Sequence, residues 1–190
     1  SYTITSDLLS LSISADGEYI AASAENDKIY LFDKDSNTPL WTYSGSNLFN
    51  AEISADGEFI VAGSISSTNK VYLFSKDSST PLWSYETDNA VYYVAISGDG
   101  KYIVAGSDDD KVYLFDKGSS TPLWSYEADD DIKHVAISAD GEFLTFNDGG
   151  DKLYLFDKDS STPIWNYDLD VNNDGDGGIL GSISADGHYI

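Results

Sequence analysis

The chain contains no cysteine, no methionine and no arginine. Without cysteine there are no disulfides, no thiolate metal sites and no cysteine nucleophile, though this does not separate cytosol from exterior. All ten basic residues are lysines, set against 33 acids, for a formal charge of −23. A phosphate-backbone binder needs a basic stripe and usually the planar arginine fork, so nucleic acid is excluded as the expected partner. No apolar run approaches the roughly 18 to 20 residues that span a bilayer. No segment sustains a 3.6-residue period between capping residues, so essentially no helix is expected. Neither an initiator Met nor a signal peptide opens the sequence, as expected of a processed chain or of a piece of a longer one.

Of the 190 residues, 41% are hydrophobic and 14% aromatic, enough to bury a core, so this is a folded domain and not an acidic tail. A pI near 4.1 suits an extracellular or cell-surface protein, whose acidic groups keep its surface hydrated.

Self-similarity is the main signal. Ile-Ser-Ala-Asp-Gly begins at Ile13, Ile53, Ile137 and Ile183, with Ile-Ser-Gly-Asp-Gly at Ile96. Lys-(Ile/Val/Leu)-Tyr-Leu-Phe begins at Lys28, Lys70, Lys111 and Lys152, and Thr-Pro-(Leu/Ile)-Trp at Thr38, Thr80, Thr121 and Thr162. Every proline and tryptophan belongs to this repeat. Each unit holds four short apolar segments, as in Val91 to Ile96, Tyr102 to Ala105, Val112 to Phe115 and Leu123 to Tyr126, and so reads as a four-stranded antiparallel meander. The glycine of Ser-Ala-Asp-Gly sits where the first hairpin needs a positive φ. Lys-Asp-Ser-Ser-Thr-Pro between the third and fourth strands is turn chemistry, with Pro at a strand start.

Units of four strands at this period predict an all-β fold, a β-propeller of four-stranded antiparallel blades. The blades are expected at about 8–43, 48–85, 90–126 and 132–167, with partial-blade strands at 1–7 and 178–190. The stretch 13 to 33, Ile-Ser-Ala-Asp-Gly-Glu-Tyr-Ile-Ala-Ala followed by Asp-Lys-Ile-Tyr-Leu-Phe-Asp, resembles the strand pattern of WD40-like repeats. The stretch from Asp33 to Trp41, repeated at Asp116 to Trp124 and Asp157 to Trp165, resembles the tryptophan-docking motif of quinoprotein (PQQ-like) propellers. It departs from that motif at Ser75, which replaces the Asp, and at Asn37, Ser79, Ser120 and Ser161, where the motif has Gly. The resemblance implies that Trp41, Trp83, Trp124 and Trp165 pack between blades. A fifth blade assembled from 1–7 and 178–190 would lack its third strand and leave an unpaired edge. A segment of a larger propeller is therefore expected first, closure through a second subunit next, and a five-bladed ring last.

In such a fold the fourth-to-first and second-to-third connections share one face. Those connections hold more than half of the acids, including Asp108 to Asp110 and Asp129 to Asp131, opposed by the four lysines that open the third strands. Such a field favours cations or a basic partner, the alternative being a solvated loop surface. The longest connection reads Asp168-Leu-Asp-Val-Asn-Asn-Asp-Gly-Asp-Gly-Gly. Asp170, Asn172 and Asp174 with Gly175 match the start of a calcium loop, with Asp168 and Asp176 as further ligands. The match is partial, because Gly181 stands where the bidentate Glu would be, and a turn-rich insertion is the other reading. Calcium is the candidate ligand, and no cofactor is required.

No catalytic residue is assigned: His134 and His188 are isolated, and no Ser-His-Asp set emerges. The resemblance to quinoprotein propellers implies a basic side chain over the quinone, and with no arginine and no cysteine pair the enzyme reading loses most of that family support. What varies from blade to blade is the start of the first strand, where Leu9, Phe49, Tyr92, Lys133 and Ile179 form one column and Ser10, Asn50, Tyr93, His134 and Leu180 the next. Phe49, Asn50, Tyr92, Tyr93, Lys133 and His134 are thus the candidate binding rim. The expected function is a non-catalytic interaction or scaffold module for a protein partner, a cell-surface assembly or self-assembly. The alternatives are a calcium-dependent glycan- or protein-binding module and a fragment of a PQQ-like dehydrogenase.

Overall fold

The computed structural model describes residues 2–168 and 182–189. Among these the chain forms four antiparallel sheets of four strands each, with a single 3-10 turn at Ser66–Thr68. Every sheet is a meander in chain order. The first blade is β1 (Leu8–Ile13), β2 (Tyr19–Ala24), β3 (Lys28–Asp33) and β4 (Trp41–Ser44). The second is β5 (Leu48–Ile53), β6 (Phe59–Ser64), β7 (Lys70–Ser75) and β8 (Trp83–Glu86). The third is β9 (Val91–Ile96), β10 (Tyr102–Ser107), β11 (Lys111–Asp116) and β12 (Trp124–Glu127). The fourth is β13 (Ile132–Ile137), β14 (Phe143–Asp148), β15 (Lys152–Asp157) and β16 (Trp165–Asp168). These are propeller blades, as the repeat predicts. Strand bounds differ by one or two residues: in the third blade the second strand runs on to Ser107, the third takes in Lys111 and Asp116, and the fourth is Trp124–Glu127, with Leu123 exposed just before it and its N–H donating to Leu114 O at 2.7 Å.

The blades stack face to face, which explains why the second and third strands read as unbroken apolar runs. In the second blade Ile60, Val61, Ala62 and Val71, Leu73, Phe74 are all sealed, since this sheet has a neighbour on both sides. The core is accordingly divided among the junctions. Ala21, Leu31, Ala51 and Phe74 belong to the first junction, Val61, Leu73, Val94 and Phe115 to the second, and Val104, Leu114, Val135 and Phe156 to the third.

Each junction is pinned at its outer side by a tryptophan. Trp41, Trp83 and Trp124 lie over Phe74, Phe115 and Phe156 of the following blade, at 5.7, 5.4 and 5.5 Å. Their Nε1–H groups donate to the carbonyls of Lys76, Lys117 and Lys158 at 2.7, 2.8 and 2.7 Å. A tryptophan here buries a large ring while its one polar atom is satisfied. The structural role implied for these three tryptophans is what the blades show.

The Ser-Ala-Asp-Gly hairpins share one geometry. In the second blade, Ser54 donates its hydroxyl to Asp56 Oδ1 and accepts from Phe59 N–H, while Asp56 Oδ1 also accepts from Glu58 N–H. Gly57 has φ 73°, and a Cβ there would stand 2.8 Å from the Tyr19 ring of the preceding blade. Glycine is thus required twice, by the backbone and by the neighbour. The hairpins also bond to one another, Ala15 N–H to Ala55 O, Asp56 N–H to Gly98 O, Gly98 N–H to Ala139 O and Ala139 N–H to Ala185 O, at 2.8 to 3.0 Å. A hydrogen-bonded belt therefore runs across one face of the molecule. The opposite face is built from the second-to-third turns and the fourth-to-first connections. These bond to each other, as in Gly45 N–H to Asp27 O and Ala128 N–H to Asp110 O.

Candidate binding rim

The first strands β1, β5, β9 and β13 run side by side, and each is irregular near its start. The pairing slips between Leu8 and Ser10, between Leu48 and Asn50, and between Ile132 and His134, and in the third blade between Gly106 and Ser107 of the partner strand, opposite Val91 to Tyr93. The extra residue is Leu9, Phe49, Tyr92 or Lys133. A bulge of this kind bends the strand and re-aims side chains. Two successive residues of β5, β9 and β13 stand between buried ones: Leu48 and Ala51 are buried, while Phe49 and Asn50 between them are half-buried.

The bulges bring four of the six sequence-derived rim residues into a chain of rings. Phe49 meets Tyr92 edge-on at 5.0 Å, Tyr92 lies 6.3 Å from Tyr93, and Tyr93 lies 6.0 Å from His134 of the next blade. Burial holds the His134 imidazole below its ordinary pKa, so it is neutral at pH 7. Asn50 lies beside this arc, and its side-chain carbonyl is buried without a hydrogen-bond partner among the described residues.

Lys133 is held by carboxylates. Its Nζ sits 2.9 Å from Asp131 and 3.9 Å from Asp108. Burial pulls the ammonium pKa down, but the bond to Asp131 and the charges of Asp131, Asp108 and Asp130 outweigh it and hold the group above the usual lysine value. It is a fifth lysine among these acids, beside the four that open the third strands. Around it, the second-to-third turn of the third blade supplies Asp108 and Asp110, and the connection into the fourth blade supplies Asp130 and Asp131. Burial first, then the neighbouring carboxylates, push Asp108 and Asp110 above the ordinary aspartate range.

Asp110, Asp130 and Asp131 each offer a carboxylate oxygen within 4.8 Å of the others. Hard cations take such oxygens, but Lys133 already supplies one positive charge to this group. Asp110 adopts φ 64°, a left-handed turn that Asp tolerates better than most residues. The sequence-derived calcium loop lies elsewhere. Asp170, Asn172, Asp174 and Asp176 are outside the described residues, and Asp168 closes β16, paired with Lys152.

Sequence reasoning missed two features. The carboxylate trio was missed because its members come from two connections whose proximity only the packing of the turns creates. The other is Glu52 on β5, half-buried between the second and third blades, where it accepts the Ile96 N–H; burial raises its carboxyl pKa to about 7. The bulge did leave a trace in the sequence, since core residues step by three (Leu48 to Ala51, Val91 to Val94, Ile132 to Val135) within a pattern of period two.

Comparison with family models matches residues 79–116 to WD40, the WD domain, G-beta repeat. The match takes in β8 and the first three strands of the third blade, so the sequence repeat is offset by one strand from the blade. No curated protein matches the chain. The matched repeat and the four recurring four-stranded sheets fit a WD40-like propeller. Propellers of this kind are typically non-catalytic and mediate protein interactions. No helix among the described residues is long and apolar enough to cross a membrane.

Proposed function

We propose that this protein is a non-catalytic interaction module whose rim takes a lysine- or arginine-rich segment of a protein partner. The observation that carries the reading is the arc Phe49–Tyr92–Tyr93–His134, followed along β13 by Lys133, the residue before His134, which is ion-paired with Asp131 and Asp108. Aromatic faces attract cationic side chains, and carboxylates beside them select charge and speed encounter. Tyrosines on a rigid strand lose little entropy when they bind, which suits an interface anchor.

The test is a titration with a hexa-arginine peptide, with a hexa-glutamate peptide as control. Binding of the basic peptide alone is expected, weakening as salt rises, with Tyr92→Ala costing about tenfold in affinity. Equal binding by the Tyr92→Ala and Asp131→Asn variants would reduce the attraction to overall charge and contradict a built rim. Calcium at 168–178 stands as a separate proposal resting on the sequence pattern; a rise in melting temperature with added calcium, abolished by Asp170→Asn with Asp174→Asn, would support it.

A further inference from the structure

On the belt face the blades repeat a small electrostatic unit where the second strand begins and the third strand ends. Glu18, Glu58 and Glu142 follow the turn glycine, and Lys34, Lys76 and Lys158 follow the third strand, with Asp35, Asp77 and Asp159 next in the chain. Backbone pairing sets the glutamate and the lysine opposite one another, the lysine N–H donating to the glutamate carbonyl at 2.8, 2.9 and 3.0 Å. The side chains use that proximity. Lys34 sits 3.4 Å from Glu18 and 2.9 Å from Asp35, Lys158 sits 3.2 Å from Glu142 and 2.8 Å from Asp159, and Lys76 is paired with Glu58.

The third blade keeps the backbone of this unit and reverses its charge. Lys117 N–H donates to Lys101 O at 2.8 Å, so Lys101 stands where the other blades have glutamate, and Gly118 stands where they have aspartate. Two separate substitutions thus remove both carboxylates and add a second ammonium. Among the described residues neither Lys101 nor Lys117 forms an ion pair. Asp99 and Asp116 lie close by, but each closes its own turn. Asp99 Oδ1 accepts from Lys101 N–H at 2.9 Å and from the Ser97 hydroxyl at 2.8 Å, and Asp116 Oδ1 accepts from Gly118 N–H at 2.8 Å.

Like charges set directly opposite on neighbouring strands destabilise a sheet. Aromatic rings hold these two ammonium groups without neutralising them. Lys117 Nζ lies 4.5 Å from the Phe59 ring of the preceding blade, closer than Lys76 and Lys158 lie to Tyr19 and Tyr102, at 5.9 and 6.0 Å, and Lys101 Nζ lies 4.7 Å from Tyr102. Lys101 is exposed and Lys117 half-buried. A unit that breaks the rule its three sisters obey, at a cost to the free protein, marks a place where a ligand supplies the missing charge.

We propose that Lys101 and Lys117 form a docking point for two carboxylate side chains of a protein partner, which take the places that Glu142 and Asp159 hold beside Lys158. The ligand chemistry is that of the sister units, where carboxylates already close on the lysine. The excess of acids repels long polyanions, so the partner brings a pair of carboxylates on a folded surface and not an acidic run. The third blade has a blade of this chain on either side, and its hairpin lies on the face opposite the rim. The docking point is therefore independent of the basic segment proposed there.

The test is an NMR titration of the backbone amides with acetyl-Glu-Asp-amide, with acetyl-Gln-Asn-amide and inorganic phosphate as the other arms. The acidic dipeptide is expected to shift the Lys101, Lys117 and Gly118 amides, and the other two compounds are not. Lys101→Glu with Gly118→Asp rebuilds the sister unit. That variant is expected to bind the dipeptide at least about tenfold more weakly, with a melting temperature at or above that of the wild type. No shift at these amides, equal shifts at Lys34, Lys76 and Lys158, a response to phosphate as large as that to the dipeptide, or undiminished binding by the variant would each overturn the proposal. A lower melting temperature in the variant would overturn it too, since the lysine pair would then be no source of strain.

Discussion

At the scale of single residues, Glu52 carries the clearest consequence of burial. Its folded-state pKa, raised from the usual 4.5 to about 7 by desolvation, means that the folded chain holds this proton more tightly than the unfolded chain does. The group's contribution to stability is therefore full below about pH 4.5, falls as pH rises toward 7, and is lost above it. Glu52→Gln keeps an acceptor for the Ile96 N–H and removes the charge. Denaturant titration at about pH 8 is expected to find the variant more stable than the wild type by about 2 kcal/mol, the difference disappearing near pH 4.5. Parallel stability curves for the two proteins would contradict this. The junction tryptophans make a second prediction. Trp124→Phe keeps a ring over Phe156 but leaves the Lys158 carbonyl without its donor, at an expected cost of about 1–2 kcal/mol in the same assay.

At the scale of elements, the first hairpin of each blade and the bulge opposite it have different jobs. The hairpin is uniform because it is structural: its Ser and Asp side chains close the turn, its glycine admits the preceding blade, and its backbone joins the belt. Gly57→Ala is expected to cost about 2–3 kcal/mol in thermal or chemical denaturation, part from the positive φ and the rest from displacing the Tyr19 ring. A cost below about 0.5 kcal/mol, the level of an ordinary surface change, would show that the ring moves freely. The bulge varies in side-chain chemistry from blade to blade, its residues half-buried at the edge of the core, as Tyr93 is beside the third junction. This contrast sets how much was legible in the sequence. The blades and the turn glycines could be read from repetition, since each is dictated by local chemistry recurring in register, and the packing of Trp41, Trp83 and Trp124 was what the resemblance to PQQ-like propellers implied. The rim columns could be read as variation. Their contacts could not, because Tyr93 meets His134 only through the slip in pairing and the stacking of two blades, and Asp110 meets Asp130 only through the joining of two connections.

At the scale of the whole molecule, a formal charge of −23 acts on both stability and recognition. Several lysines are paired, Lys34 with Glu18 and Asp35, Lys76 with Glu58, Lys158 with Glu142 and Asp159, and Lys152 with Asp129, which leaves a large excess of carboxylates. Self-repulsion among them is screened by salt, so the melting temperature is expected to rise by a few degrees between about 20 mM and about 500 mM sodium chloride. A fall would mean that the ion pairs outweigh the repulsion. The same excess draws a basic partner, while the bulges decide where it settles. The most direct test of that account is a hydrogen-exchange footprint of the protein with bound hexa-arginine peptide. The account predicts slowed exchange at 48–51, 91–94 and 130–134, the bulged starts of three first strands and the carboxylates beside them. Protection confined to the Ser-Ala-Asp-Gly belt on the opposite face, or spread evenly over every acidic loop, would contradict it.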